Sequence, residues 1–324
     1  MFRVFLLLFL FSSFGALASE LPLPPLMSSP SWIVLSGKGA VIGGASYLEA
    51  KPIASITKMA MAMAYLDARP SLDEIEVISA EDVDVLKHTS SRLAVGAAIP
   101  RRELLRLALA SSENRAASAL ARGFRGGSLG MVAAMNAKAS AMGWRSARFV
   151  DPTGLSPENV ASAKDVAMMA RAAKKYPEIL AAAKSSSFIQ KVEGPGIKAR
   201  AVEYKNTNKP LRLGQVSAVV SKTGYINEAG RCLAWALGDS EGGFAMAILG
   251  APSFASRDRD EVVLDAWARG KPPPPIDKTP ADAKGKLGRK GKLVAVKARN
   301  EKQKITLAAG SGKIREKRRS HVNH

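Results

Sequence analysis

Apolar residues along this chain change their spacing several times, and each change predicts an element. Val4 to Phe14 is an apolar run broken only by Ser12 and Ser13 among its polar positions. Two short apolar segments, Trp32 to Leu35 and Ala40 to Ile42, flank Ser36-Gly37-Lys38-Gly39 and predict a hairpin. From Ser55 the spacing turns helical: Met59, Met61, Met63 and Leu66 lead to Asp67-Ala68-Arg69-Pro70. Pro100 suits the first turn of a second helix, with Leu104, Leu105, Leu107 and Leu109 as its apolar side. Ser128 is expected to cap a helix reaching Met142. Ser162-Ala163-Lys164-Asp165 reads as a capping box with Asp in the usual Glu place. Beyond Tyr204 strands are expected at Val216 to Val220, Cys232 to Leu237 and Phe244 to Leu249, before a closing helix over Asp258 to Ala268.

Composition narrows the chemistry. Hydrophobic residues make up 47% of 324 positions, enough for a core in one large domain or two lobes. The single cysteine, Cys232, excludes an intramolecular disulfide and a cysteine-cluster metal site. Of the 3 histidines, His321 and His324 stand at the far end, which leaves His88 alone for an interior role. Ser-His-Asp hydrolysis and His-ligated zinc are thereby nearly removed, and no metal or cofactor is expected.

Charge divides the chain. The net charge is +20, and residues 271–324 supply +12 of it, with 16 Lys/Arg against 4 Asp/Glu. The break falls at Lys271-Pro272-Pro273-Pro274-Pro275, a stiff linker. The segment beyond it reads as disordered and is expected to meet anionic envelope polymers by charge. At the other end, Met1-Phe2-Arg3, the apolar run and Ala16-Leu17-Ala18 form a signal-peptide pattern, too short for an ordinary membrane span. The expected organisation is a leader (1–18), a folded domain (19–270) and a Pro-linked basic tail (271–324), in a protein exported to the periplasm or cell envelope. Export also argues against nucleic acid as a specific partner.

Three short motifs follow in order. In Ser55-Ile56-Thr57-Lys58, residues three apart share a helix face, so the Lys58 amine can reach the Ser55 hydroxyl. Lysine can act as the base that serine needs only if burial or a second cation lowers its pKa. Ser112-Glu113-Asn114 lies between two helices, where hydroxyl and amide can both face a cleft. Lys222-Thr223-Gly224 ends a strand; its lysine and threonine suit a carboxylate, and its glycine admits close backbone approach. Lys222 is expected to be the second cation that depresses Lys58. Each motif alone has a bland reading, as a solvated helix face, a helix cap or a strand end.

Together they match the Ser-x-x-Lys, Ser-x-Asn and Lys-Thr-Gly set of penicillin-recognising serine enzymes. With Asp151-Pro152-Thr153-Gly154-Leu155-Ser156-Pro157, Asn206-Thr207-Asn208 and Ser221 to Leu233, the chain resembles the low-molecular-mass penicillin-binding proteins over roughly residues 30–270. Within them it resembles most the D-alanyl-D-alanine endopeptidase branch, serine peptidase family S11. The resemblance implies an α+β fold, an antiparallel sheet flanked by helices plus a helical lobe, with the cleft between them. It implies that Ser55 attacks a D-alanyl carbonyl in a peptidoglycan peptide, with Lys58 as general base. Ser112 would relay a proton, Asn114 would hold Lys58 and the substrate amide, and Lys222 would bias the field. Thr223 would contact the substrate carboxylate, with Gly224 beside it. The backbone N–H groups of Ser55 and Tyr225 would form an oxyanion hole, each donor worth about 3 kcal/mol. Arg257 would bind a carboxylate just before the last helix. β-Lactams would be covalent inhibitors.

Other readings compete. Gly126-Gly127-Ser128-Leu129-Gly130 spells a nucleophile elbow but lacks the preceding strand and the histidine. His88 is expected to be exposed and Cys232 to be core. Glu113 and Arg115 either face the cleft or are solvated. Alternatives to an endopeptidase are a D-alanyl-D-alanine carboxypeptidase, a β-lactamase or a non-catalytic wall-binding protein. A β-lactamase would need a deacylating carboxylate, and Glu158-Asn159 is the nearest candidate.

Overall fold

A computed structural model describes residues 25–238 and 242–272. The expected leader and nearly all of the basic tail lie outside these residues. The elements along the chain are β1 (Ser31–Ser36), β2 (Val41–Ala45), β3 (Ala50–Pro52), α1 (Thr57–Asp67), β4 (Ile75–Val77), β5 (Ala98–Pro100), α2 (Arg101–Ala110), α3 (Asn114–Arg122) and α4 (Gly127–Ala141). There follow β6 (Val160–Ser162), α5 (Ala163–Ala173), α6 (Pro177–Lys184), β7 (Ser187–Gly194), β8 (Ile197–Lys205), α7 (Lys209–Arg212), β9 (Val220–Ile226), β10 (Gly230–Leu237), β11 (Phe244–Ala251) and α8 (Phe254–Ala268).

The main sheet runs β2-β1-β11-β10-β9 and is antiparallel throughout. Its strands are apolar on both faces, so both faces must be covered. Trp32, Val34, Leu233, Trp235, Met246 and Ile248 alternate onto one face, where Leu264 and Trp267 of α8 cover them. Trp32 and Trp267 meet edge to face at 6.2 Å. The residues between them, such as Ile33, Leu35, Ala234 and Ala247, face the larger core with α1 and α5. Helix α1 is buried from Thr57 to Tyr65, as a helix apolar on every side should be. It stands between the sheet layer and the helical lobe of α2, α3 and α4. The fold is α+β, as expected, with β9 left at the sheet edge.

Several boundaries differ from expectation, each for a local reason. Ser128 does not cap α4; Gly126 does, at φ +80°, and the helix begins at Gly127. The Gly-x-Ser-x-Gly stretch follows helix α3, not a strand. Pro100 ends β5 and stands just outside α2. Ser162 caps α5 by accepting from the Asp165 N–H, but Asp165 turns to the Ser146 N–H and hydroxyl, so the box is half made. Only Val220 onward is strand in the segment from Val216. The β7–β8 hairpin escaped the reading altogether, although Phe188, Gln190 and Val192 alternate inward.

Candidate active site

Residues 54–56 form one 3-10 turn, after which α1 begins. Ser55 therefore sits at the mouth of a buried helix and Lys58 one turn inside it. Lys58 is fully buried, and its Nζ lies 2.8 Å from Ser55 Oγ, 2.7 Å from Asn114 Oδ1 and 2.6 Å from the Thr153 carbonyl oxygen. Two of these partners can only accept, whereas a hydroxyl can also donate. A neutral Lys58 would thus spend its two N–H groups on Asn114 and Thr153 and turn its lone pair to the Ser55 proton. Burial pulls the Lys58 amine down to about 8, against the opposing pull of Asp151, Glu113 and Asp84.

Lys222 comes to the same place from the edge strand β9. Its Nζ lies 2.9 Å from Ser112 Oγ and 2.9 Å from the Thr223 carbonyl oxygen. It is held well below the ordinary lysine range by burial first, then by Lys58 and Arg257. Burial is the first cause for both amines, and each, when charged, disfavours the charge on the other. Asp151, Glu113 and Asp84 act on Lys58 from a distance and favour its charge, whereas Arg257 disfavours the charge on Lys222. Ser112 lies between α2 and α3 at φ +59°, a left-handed backbone uncommon for serine.

The orientation of Asn114 rests on two residues the sequence reading did not single out. Asn114 Nδ2 donates to Thr89 Oγ1 at 2.8 Å, and Thr89 Oγ1 donates to Asp84 Oδ2 at 2.7 Å. Asp84 also accepts from the backbone N–H groups of Leu86, Lys87 and Thr89. Because the Thr89 proton goes to Asp84, its oxygen can only accept from Asn114. That choice turns Asn114 Oδ1 to Lys58. Thr89 is 25 residues from Asn114 along the chain, and no motif spacing connects them. Thr89→Val keeps the shape and removes the acceptor. It should slow acylation roughly tenfold, one hydrogen bond's worth, with the melting temperature nearly unchanged. Stopped-flow labelling with a fluorescent penicillin, paired with a melting curve, measures both; an unchanged rate would remove the role.

β9 lies directly against the nucleophile. A Cβ on Gly224 would stand 2.7 Å from the Ile53 carbonyl oxygen and 3.2 Å from Ser55 N, so only glycine permits this approach. Ser55, Ser112, Asn114, Thr223, Gly224, Tyr225 and Arg257 line one cleft of about 450 Å³. The Thr223 hydroxyl donates to Thr207 Oγ1 at 2.6 Å. Arg257 belongs to this cleft but lies in the first turn of α8, because Ser253 caps that helix four residues earlier than expected. It is buried and pairs with Asp258.

The remaining candidates fall outside the chemistry. His88 is exposed, and Cys232 is core, its thiol pushed up to about 11 by burial. Glu113 caps α3, and Arg115 donates to the Leu93 carbonyl oxygen at 2.6 Å, so both are structural. Glu158 is exposed and pairs with Arg148 at 3.1 Å. Asn159 is buried and holds the Asp151 loop. Neither lines the cleft.

A family model described as D-alanyl-D-alanine carboxypeptidase, peptidase S11, matches residues 19–253. The chain belongs to this family. The D-alanyl-D-alanine endopeptidase of Pseudomonas aeruginosa is 41% identical over 182 residues, 56% of this chain and 58% of that protein. The chain thus aligns with less than two thirds of that relative's length. The D-alanyl-D-alanine endopeptidase of Escherichia coli is 36% identical over 218 residues, 67% of this chain and 69% of that protein. The Streptomyces K15 DD-transpeptidase crystal structure superposes with a TM-score of 0.71 at 23% identity, covering 76% of this chain and 98% of that one. That likeness carries the fold.

Proposed function

We propose that the protein is a serine DD-peptidase that cleaves D-alanyl crosslinks of peptidoglycan through an acyl-enzyme on Ser55. The observation that carries the reading is the Lys58 amine, buried and 2.8 Å from the Ser55 hydroxyl, with its other two partners able only to accept. Lys58 takes the Ser55 proton as Oγ attacks the D-alanyl carbonyl carbon. The backbone N–H groups of Ser55 and Tyr225 receive the developing oxyanion. Ser112, beside Lys222, relays to the leaving amine the proton that Lys58 took, as the C–N bond breaks, which leaves Lys58 neutral. Thr223 and Arg257 hold the carboxylate next to that amine. Water then attacks the ester, Lys58 again serving as base, and Ser55 is freed. A β-lactam follows the first half, its ring amide opening on Ser55.

The names of the two endopeptidase relatives favour crosslinks over terminal D-alanine as the substrate, and the family description keeps the carboxypeptidase reading alive. The exposed Glu158 gives the β-lactamase alternative no support. A peptidoglycan substrate and the leader pattern of residues 1–18 both support a reading of the enzyme as a cell-envelope protein. Digestion of crosslinked muropeptide dimers by the purified chain, read by mass, tests the reading. Dimers should fall to monomers, and the Ser55→Ala variant should leave them intact. Loss of terminal D-alanine alone would favour the carboxypeptidase. We further propose that residues 271–324 hold the enzyme near anionic wall polymer, motivated by their net charge of +12. Their deletion should lower binding to isolated sacculi at low salt; equal binding would discard the idea.

A further inference from the structure

We propose that Arg212 forms a second anion subsite in the cleft, reading a carboxylate carried by the leaving group beyond the one next to the scissile amide. The inference rests on the DD-peptidase reading and adds what that reading lacks, a reason to prefer a crosslink over a terminal D-alanine.

The cleft is lined by cations and by no carboxylate. Lys205, Arg212 and Arg257 stand along it with Thr207 and Thr223. Most of its cations already have partners. Lys58 has three acceptors, Lys222 has Ser112 and the Thr223 carbonyl, and Arg257 has Asp258. Lys205 pairs with Glu203 at 3.5 Å in an exposed position. Arg212 differs. Its Nε is buried without a hydrogen-bond partner, and its guanidinium makes no ion pair among the described residues. The half-buried Arg212 lines the cleft, and a guanidinium there with no anion of its own can take the acceptor that a ligand supplies.

The position of Arg212 is held, not incidental. It ends α7, whose cap is the fully buried Asn208. Asn208 Oδ1 accepts from the Leu211 N–H at 3.2 Å. Its Nδ2 donates to Ser221 Oγ at 2.9 Å and Glu261 Oε1 at 2.6 Å. One amide therefore ties α7 both to the start of β9, which carries Lys222 and Thr223, and to α8, which carries Arg257. Arg212 is fastened to the elements that would bind the leaving-group carboxylate.

The chemistry then separates the two substrates. A terminal D-alanine brings one carboxylate, and Thr223 with Arg257 suffices for it. A crosslink whose amine donor is a diamino diacid releases a longer group: an amino acid with the same carboxylate beside its amine, and a side chain that continues toward a further carboxylate. A planar guanidinium suits a carboxylate at that second distance, since it can donate two parallel N–H bonds.

The test uses the full chain and matched peptides, N-acyl-D-Ala-D-X. X is D-alanine, or a D-amino acid whose side chain of increasing length ends in a carboxylate or in the corresponding carboxamide. Wild-type enzyme should prefer the carboxylate over its carboxamide by roughly 10- to 100-fold in kcat/KM at one side-chain length. Arg212→Gln should erase that preference, with penicillin acylation and D-Ala-D-Ala cleavage within about 3-fold of wild type, because neither ligand reaches Arg212. Arg212→Lys should keep part of the preference. Equal cleavage of carboxylate and carboxamide by the wild type would overturn the subsite, as would a preference that survives Arg212→Gln. Should Arg212→Gln not fold, the wild-type preference and its retention in Arg212→Lys decide. A wild-type chain that is acylated by no penicillin would instead sink the DD-peptidase reading, and the subsite with it.

Discussion

Acylation of Ser55 by a penicillin should quicken about tenfold per pH unit below about pH 8 and then level off. The sign follows from the base. Lys58 can accept the Ser55 proton only when neutral, and burial sets its titration at about 8. Below that pH the reactive fraction falls by a factor of about ten for each unit, because the ammonium donates to Ser55 where the amine would accept from it. Ordinary lysine would place the plateau above pH 10, so the position of the bend reports the burial. Lys58→Ala should reduce acylation by roughly 100- to 10,000-fold, the span for loss of a general base, and should abolish the bend. A rate flat between about pH 6 and pH 8, with Lys58 intact, would show that another group takes the proton.

Gly154→Ala should cost about 3 kcal/mol of stability and about 100-fold in acylation. Gly154 sits at φ +83° in the loop that passes under the nucleophile. A Cβ there would lie 2.1 Å from the Ala54 carbonyl oxygen and 2.9 Å from Ser55 N. Neither atom is a flexible side-chain end, so the backbone bearing Ser55 must move. The loop cannot yield easily in return, because Asp151 grips it from inside. Asp151 Oδ1 accepts from Thr153 N, Thr153 Oγ1 and Gly154 N, and Oδ2 from Ser156 N and Asn159 Nδ2. The Thr153 carbonyl is itself a Lys58 partner. Gly143→Ala is the control: its φ is +69° and nothing lies within 4 Å of the added Cβ. It should cost about 1 kcal/mol and leave acylation alone. Equal effects at both glycines would mean that backbone strain, not the contact with Ser55, accounts for the loss.

Legibility varied with the range of the interaction. Ser55 and Lys58 could be paired from their spacing, because one helical turn is a local geometry. The hairpin at Ser36 to Gly39 was legible for the same reason, and so was the interior place of the Met59 to Met63 run. The β7–β8 hairpin was missed because its alternation is broken in residue type: Ile189 faces outward and Gln190 inward, so the apolar positions do not keep a period of two. The cap of α8 was missed because Ser253 and Ser256 bond each other, a pairing of two serines where a serine and an acid are expected.

What order and residue type settled in advance was the inventory of chemistry: a serine with a lysine one turn away, a second serine and a second lysine. Distance across the chain settled the rest. Ser112 and Lys222 are 110 residues apart, and Lys58 and Thr153 are 95 apart. That burial would depress both amines, which end of Asn114 would face Lys58, and which arginine of the cleft would be left without an anion are questions of surroundings. Those surroundings exist only once β9, α1, α7 and the Asp151 loop have packed together, since desolvation and hydrogen-bond satisfaction belong to a place in the fold and not to a residue type.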